Sequence, residues 1–204
     1  MPDYEYEKAA VLSGFNTICG VDEAGRGPLA GPVCAAAVIL PTDTVIEGLD
    51  DSKKLSEKKR ERLYGEITEK AIAYSVAYGT LEEIEKLNIL ESTFLAMNRA
   101  IEGLKVKPDF ALIDGNRVPK GIKIPCATVV KGDSKSMSVA AASILAKVTR
   151  DRLMLTYDGK YPQYNFKKHK GYGTKEHIEF IKKYGPCEIH RLSFLKNILG
   201  QENG

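Results

Sequence analysis

A short run near the N-terminus limits the possible folds of this chain more than any other feature. Residues 20–28 have the sequence Gly-Val-Asp-Glu-Ala-Gly-Arg-Gly-Pro, in which an apolar segment ends in two adjacent carboxylates and a glycine–arginine–glycine turn. Adjacent acids at the end of a buried strand repel each other, and a divalent cation with oxygen ligands removes that repulsion. The turn combines a backbone that can approach a ligand closely with a planar cation suited to phosphate. The run therefore predicts a site for metal and phosphate at a strand end.

The composition is that of an ordinary globular protein. With 204 residues, 43% hydrophobic and 28% charged, the chain can bury one substantial core. A net charge of +3 does not by itself indicate nucleic-acid binding, although lysines cluster at Lys167, Lys168 and Lys170. The four cysteines lack C-x-x-C spacing, which favours free thiols in a reducing cytosol. Because the N-terminus is acidic and the longest apolar stretches are too short for a bilayer, we expect a cytoplasmic protein without membrane contact.

Hydrophobic periodicity predicts an α/β fold with helices flanking a sheet. Strands are predicted over residues 17–22, 33–40, 71–78, 110–113 and 122–130, the last at an edge or bulge because it contains Pro125. Helices are predicted after Ser56, after Thr80 with Glu83 as a capping box, along the face formed by Leu90, Phe94, Met97 and Ile101, and over residues 136–155 and 174–184. No repeat or linker interrupts this order, so we expect one domain with a C-terminal appendage.

Four acids, Asp22, Glu23, Asp114 and Asp133, lie at the ends of apolar segments or beside glycine. If their strands are neighbours, the side chains meet at the carboxyl edge of the sheet, where open α/β folds bind ligands. Such carboxylates around two ions about 3.5–4 Å apart suit in-line attack of water on a phosphodiester. A lone aspartate before glycine is more simply a turn residue, an explanation that the Asp22-Glu23 pair lacks.

Basic and aromatic residues concentrate in residues 165–174, Asn-Phe-Lys-Lys-His-Lys-Gly-Tyr-Gly-Thr. Lysines contact phosphates, and Tyr172 between two glycines is free to stack on a sugar or base, although a solvated basic loop has the same composition. Ser52 and Lys53 could hold a backbone phosphate or simply begin a helix. Asp151, between two arginines, serves an ion pair or supports the metal site. The histidines lack zinc-ligand spacing, and no Walker A or G-x-S-x-G motif is present.

Together these motifs resemble the ribonuclease HII family. The resemblance rests on six segments in the family's order, residues 20–28, 51–55, 113–115, 131–133, 142–151 and 169–174. It implies a ribonuclease H-like α/β fold, with a central mixed β-sheet flanked by helices and a small C-terminal helical part. We place the catalytic domain in residues 1–160 and a C-terminal helical region, which carries Tyr172, in residues 161–204.

The resemblance also implies a reaction. Members of the family cleave the RNA strand of RNA–DNA hybrids and cut on the 5′ side of a single ribonucleotide in duplex DNA, leaving 3′-hydroxyl and 5′-phosphate ends. By match, two Mg²⁺ or Mn²⁺ ions would be bound by Asp22, Glu23, Asp114 and Asp133. Gly25, Arg26 and Gly27 would contact the ribose 2′-hydroxyl and the adjoining phosphates, and Tyr172 would stack on the sugar of the next deoxynucleotide.

Two other functions are consistent with parts of the sequence. A DNA nuclease of the same fold class, such as a resolvase, has no need for a turn and a tyrosine that contact a 2′-hydroxyl. A non-catalytic nucleic-acid-binding module has no need for all four acids. The short segment before the first strand argues against ribonuclease HIII, which carries a sizeable N-terminal domain. Residues 191–199 lack the glutamine and double-aromatic pattern of a sliding-clamp ligand, so we expect no clamp partner. We also expect the protein to be a monomer.

Overall fold

The centre of the molecule is a five-stranded mixed sheet. The structure, a computed structural model, describes residues 1–200. The strands are β1 (Ile18–Ala24), β2 (Val33–Ile39), β3 (Ala73–Gly79), β4 (Phe110–Asp114) and β5 (Cys126–Val129). Their order is β3-β2-β1-β4-β5, in which β2 pairs antiparallel with β1 and β3, and β4 pairs parallel with β1 and β5. The predicted mixed sheet is confirmed.

Helices cover both faces of the sheet. In the described residues they are α1 (Glu5–Leu12), α2 (Glu57–Lys70), α3 (Leu81–Leu87), α4 (Ile89–Glu102), α5 (Met137–Lys160), α6 (Phe166–His169), α7 (Lys175–Tyr184) and α8 (Leu192–Leu199). Residues Ala36 and Val38 of β2 belong to the core formed with α2 and α5, whereas Ala35 and Ala37 belong to the core formed with α4. Strand β2 is therefore buried on both faces, as its continuous apolar sequence indicates.

Local sequence signals account for most element boundaries. Thr80 and Glu83 form the predicted capping box at the start of α3, and Ser136 caps α5. The strand predicted over residues 122–130 is shorter, since β5 begins only after Pro125, and it lies at the predicted edge of the sheet.

Helix α1 has no clear signal in the sequence and depends on a contact with α5. Its Glu7 is buried and accepts hydrogen bonds from Ser136 Oγ at 2.7 Å and from the Ser138 N–H at 2.9 Å. A carboxylate is favourable at a helix N-terminus because the first N–H groups have no partner within the helix. Glu7 thus ties the N-terminal helix to the first turn of α5, and Ala10 packs in an apolar cluster with residues of β1, β4 and β5.

Close packing of α5 against β1 brings the long helix to the site. A Cβ on Gly20 would overlap the Ser138 backbone, so only glycine allows this approach. Along α5, Ser143, Lys147 and Arg150 then reach the end of β1, and each contacts a residue of the candidate site. Within residues 1–200, no helix combines the length and apolar character needed to cross a bilayer.

The elements after α5 pack on the glycine–arginine–glycine turn. Tyr164, Phe166 and Ile189 form a cluster with Ala30, which closely follows that turn, and with Met154 of α5. The predicted domain division at residue 160 coincides with the end of α5 and stays a prediction. The last part of the predicted C-terminal region, residues 201–204, lies outside the described residues.

Candidate active site

Three carboxylates, those of Asp22, Glu23 and Asp114, come together at one end of the sheet. Strands β1 and β4 are parallel neighbours with Val21 opposite Ile113, so Asp22 and Asp114 follow at the same level. Each of the three residues offers an oxygen, and these atoms all lie within 4.8 Å of one another. We refer to this group as the carboxylate cluster.

The carboxylate cluster concentrates negative charge where water is scarce. Burial, and then repulsion by Glu23 and Asp114, raises the pKa of Asp22 well above its usual range, against the opposing hydrogen bond of Ser143. Burial also raises the pKa of Glu23, although the nearby Arg26 opposes the rise. Buried anions without enough counter-charge become favourable when a cation binds, and carboxylate oxygens are ligands that Mg²⁺ and Mn²⁺ prefer. The residues present therefore fit a divalent metal ion.

Asp133 lies beside the carboxylate cluster rather than within it. Its side chain is buried and lines a cavity of about 430 Å³ together with Asp51, Lys53 and Asp114. Burial, followed by repulsion from Asp51 and Asp114, raises the pKa of Asp133 to about 6. Burial acts to lower the pKa of Lys53, but the surrounding carboxylates outweigh it and the net shift is upward. Asp114 belongs to the carboxylate cluster and also lines the cavity at Asp133, so it connects the two.

The glycine–arginine–glycine turn leaves β1 directly after the carboxylate cluster. Gly25 is buried with a φ of 96°, and a Cβ there would overlap the guanidinium of Arg150. Arg26 is exposed, and its Nη1 lies 3.4 Å from Oε1 of Glu23. Gly25 is thus required by the packing beneath the turn, whereas Arg26 extends beside the cluster.

Gly27 and Tyr172 face each other across an open space. Gly27 is exposed, and a Cβ at this position would meet Cε1 of the tyrosine ring at 4.0 Å. A cavity of about 200 Å³ lies here and is lined by residues 23–27, Ser52, Lys53, Ser143, Lys147 and Tyr172. We call it the ribose cavity, after the role predicted for its walls. It shares Glu23 with the carboxylate cluster.

Tyr172 is the exposed aromatic ring of the basic segment. Its side chain is 43% exposed, and its ring centroid lies 5.8 Å from Lys147 Nζ and 5.9 Å from Arg150 Cζ. Phe166, in contrast, is fully buried. Residues 165–174 do not form an open loop, because they contain the one-turn helix α6. Asn165 and Lys170 adopt the left-handed conformation at its two ends.

Ser52 and Asp151 contact the site through other residues. Ser52 is buried, and its hydroxyl lies 3.0 Å from that of Ser143. Asp151 is buried and binds Lys147 Nζ at 2.8 Å, with Arg60 Nη2 at 3.8 Å. Asp151 thus pairs with Lys147 and Arg60 rather than with the arginines beside it in the sequence, and Lys147 links it to the ribose cavity; a supporting role at the metal site stays a prediction.

Comparisons with known proteins decide the family. The family model described as Ribonuclease HII matches residues 19–197. The chain belongs to the ribonuclease HII family. A protein named Ribonuclease HII from Caldicellulosiruptor bescii is 58% identical over 196 residues, which cover 96% of this chain and 95% of that protein. One from Idiomarina loihiensis is 60% identical over 177 residues, or 87% of this chain and 94% of that protein.

Solved structures agree with this family assignment. The crystal structure of ribonuclease H2 from Pyrococcus horikoshii OT3 is similar with a TM-score of 0.75 and 28% identity, covering 90% of this chain and 97% of that one. The ribonuclease H-like fold predicted from the motifs is confirmed, and so is the enzyme class, a metal-dependent endoribonuclease.

Sequence reasoning missed several residues that contact the site. Ser143 and Lys147 lie four residues apart on α5, and that helical spacing within a motif was the available signal. Arg150 continues this spacing three residues after Lys147, whereas Arg191 gave no comparable signal; the partners of both arginines are backbone carbonyls contributed by distant segments.

Proposed function

We propose that this ribonuclease HII family member hydrolyses the RNA strand of RNA–DNA hybrids and nicks duplex DNA on the 5′ side of a single ribonucleotide, leaving 3′-hydroxyl and 5′-phosphate ends. One observation supports this most directly: Glu23 belongs to both the carboxylate cluster and the ribose cavity. A phosphodiester bound at the cluster would therefore have its sugar beside the turn. Since the 2′-hydroxyl distinguishes RNA from DNA, contacts in this cavity would select a ribonucleotide.

The carboxylates are proposed to hold two divalent ions, Mg²⁺ or Mn²⁺. Asp22, Glu23 and Asp114 would hold one through the cluster, and Asp133 with Asp114 would contribute to the other. Held by these carboxylates, the ions would supply activation of a water molecule and neutralisation of charge on the leaving oxygen. The raised pKa values of Asp22, Glu23 and Asp133 are the electrostatic support, because each of these groups gains from a cation.

The walls of the ribose cavity are proposed to bind and orient the substrate. Gly25, Arg26 and Gly27 would present backbone groups to the 2′-hydroxyl and phosphates. Tyr172 would stack on the sugar of the next deoxynucleotide. Ser52 and Lys53 would contact a backbone phosphate. Recognition would then depend on two walls of the cavity, the glycine–arginine–glycine turn on one side and Tyr172 on the other. A ribonucleotide followed by DNA would therefore fit better than DNA alone.

The test uses a DNA duplex with one ribonucleotide, an RNA–DNA hybrid and an all-DNA duplex, each with Mg²⁺, Mn²⁺ or chelator. We expect metal-dependent cleavage of the first two and none of the third. Failure to cut the hybrid in either metal would overturn the proposal, and cleavage of the all-DNA duplex would favour a DNA nuclease instead.

Three statements about cellular context belong to the same proposal. We propose that the enzyme acts in the cytoplasm as a monomer, without a sliding-clamp partner. The absence of a clamp-binding pattern in residues 191–199, most of which form α8, supports the last of these statements. Light scattering of the purified chain, alone and with a clamp protein, tests the oligomeric state and the absence of a clamp partner.

A further inference from the structure

Two buried arginines lie beneath the ribose cavity. Arg150 is 1% exposed and Arg191 is 0% exposed, and neither pairs with a carboxylate within residues 1–200. Each guanidinium instead donates to three backbone carbonyls. Burying a charge in this way is costly unless its donors are satisfied, so the arrangement holds the chain segments that supply the carbonyls.

Arg191 binds the glycine–arginine–glycine turn itself. Its Nη2 donates to the Gly25 carbonyl at 2.6 Å, its Nη1 to the Arg26 carbonyl at 2.9 Å, and its Nε to the Gly31 carbonyl at 2.9 Å. In a trans peptide the C=O and the following N–H point in opposite directions, and the described chain has no cis peptide. Because the carbonyls of Gly25 and Arg26 point to the buried guanidinium, the N–H groups of Arg26 and Gly27 point away from it.

These two N–H groups are available to a ligand. In the described part of the chain, neither donates a hydrogen bond to another backbone or side-chain group. Arg26 and Gly27 both line the ribose cavity. Arg191 thus fixes two donors toward the place where the substrate is proposed to bind.

The neighbouring residue, His190, supports the opposite wall of the cavity. The Cys187 N–H donates to His190 Nδ1 at 2.9 Å, so the proton of His190 lies on Nε2, which is 3.1 Å from Nε2 of His177. His177 must accept that bond and carry its own proton on Nδ1, which donates to the Tyr172 carbonyl at 2.9 Å. Burial lowers the pKa of both histidines to about 4, which keeps this neutral arrangement at physiological pH.

We propose that His190 and Arg191 are positioning residues that set the distance between the two walls of the ribose cavity and thereby determine selectivity for a single ribonucleotide. Arg191 holds the turn, and His190 holds Tyr172 through His177. The segment is itself tied to the turn, since the Arg191 N–H donates to the Leu29 carbonyl at 2.8 Å. This inference rests on the proposed function, because it concerns the same cavity.

The proposal predicts a loss of selectivity rather than a uniform loss of activity. On a duplex with one ribonucleotide, recognition depends on a single ribose placed between the cavity walls. A continuous hybrid has a 2′-hydroxyl on every nucleotide of its RNA strand, so it can bind in several positions along that strand and tolerates a displaced wall better. Displacing bound groups by about 1 Å can cost on the order of 100-fold in rate. We therefore expect Arg191→Met to lower kcat/KM on the single-ribonucleotide duplex about tenfold more than on the hybrid.

The experiment compares four variants with the wild type on both substrates. Arg191→Met removes the charge and the donors but keeps much of the side-chain volume, and Arg191→Lys keeps a charge that lacks the planar fork. His190→Asn retains an acceptor near the Nδ1 position but cannot reach His177. The control is Arg99→Met, since Arg99 donates to a backbone carbonyl, as Arg191 does, and to Glu83, but lines neither the ribose cavity nor the cavity at Asp133.

Melting temperature and calorimetric binding of Mn²⁺ alone are measured for each protein. We expect Mn²⁺ binding to be unchanged in every variant. The ratio of kcat/KM on the single-ribonucleotide duplex to kcat/KM on the hybrid should fall in all three variants at residues 190 and 191. In Arg99→Met this ratio should stay at the wild-type value. Equal losses on both substrates, or no loss on either, in the Arg191 and His190 variants would show a merely structural role and overturn the inference. A wild-type enzyme that does not nick at the ribonucleotide would instead overturn the proposed function.

Discussion

Replacing Gly25 with alanine should destabilise the protein strongly, whereas the same change at Gly27 should not. Gly25 has a φ of 96°, a region where an L-residue costs about 1–2 kcal/mol. The added Cβ would also overlap the Arg150 guanidinium and displace it from its three carbonyls. Leaving even one of these buried hydrogen-bonding groups without its partner costs about 1–3 kcal/mol. Together with the backbone strain, the unfolding free energy should fall by roughly 2–5 kcal/mol. For a chain of this length, that lowers the melting temperature by roughly 10 °C.

Gly27 is the matched control because it lies two residues away in the same turn. It does not have a positive φ, and its Cβ would meet the Tyr172 ring at an ordinary 4.0 Å. Gly27→Ala should therefore keep the wild-type melting temperature within a few degrees but lower cleavage at a single ribonucleotide, because the methyl group enters the ribose cavity. Thermal unfolding in chelator measures the first effect and steady-state kinetics the second. A Gly25→Ala protein as stable as the wild type would refute the assignment of Arg150 as the packing partner.

Three further predictions concern the carboxylates and the tyrosine. Asp22→Asn should abolish cleavage while duplex binding stays equal or becomes tighter, because a negative charge near the phosphates is removed; wild-type turnover in this variant would contradict the metal site. Tyr172→Ala should reduce cleavage at a single ribonucleotide more than cleavage of a continuous hybrid, and equal losses would argue against stacking. Asp133→Asn should stabilise the metal-free protein at pH 8, because burial and nearby carboxylates raise the pKa of Asp133 to about 6 and make its anion unfavourable. This rise in pKa corresponds to about 3 kcal/mol of lost unfolding free energy at pH 8. Solvent in the adjoining cavity screens the charge and reduces the loss to roughly 1.5 kcal/mol. Because the folded-state pKa is above the unfolded one, this gain should shrink as the pH falls from 6 and be largely lost below pH 4, as chelator-containing melts would show; a gain that is independent of pH would rule out the charge as its cause.

The carboxylate cluster follows from the sequence once the order of the strands is known. Asp114 ends β4 and Asp22 lies two residues before the end of β1, which extends past the predicted end at residue 22, so parallel pairing of these strands places the two residues side by side. Asp133 follows a third apolar segment, yet it lies apart from the cluster. Lys131 adopts a left-handed conformation before it, and the turn that follows directs Asp133 toward Asp51. A pattern of apolar residues does not encode such a turn.

The support beneath the ribose cavity could not be predicted from the sequence. Arg191 binds a carbonyl 166 residues earlier in the chain, and nothing local distinguishes it from an exposed cation. The histidines likewise show no spacing that relates them, although His177 and His190 meet in the folded chain. Backbone carbonyls are present at every residue, so a side chain that binds them leaves no partner to recognise in the sequence.

Moving a single ribonucleotide along a DNA duplex tests the central claim most directly. The carboxylate cluster and the ribose cavity share Glu23, so the cut should keep a fixed relation to the ribose wherever it is placed. We expect one metal-dependent nick on the 5′ side of the ribonucleotide at every position, with a 3′-hydroxyl and a 5′-phosphate, and no nick when that sugar is replaced by deoxyribose. A nick that stays at one sequence position, or that persists without the 2′-hydroxyl, would contradict the account.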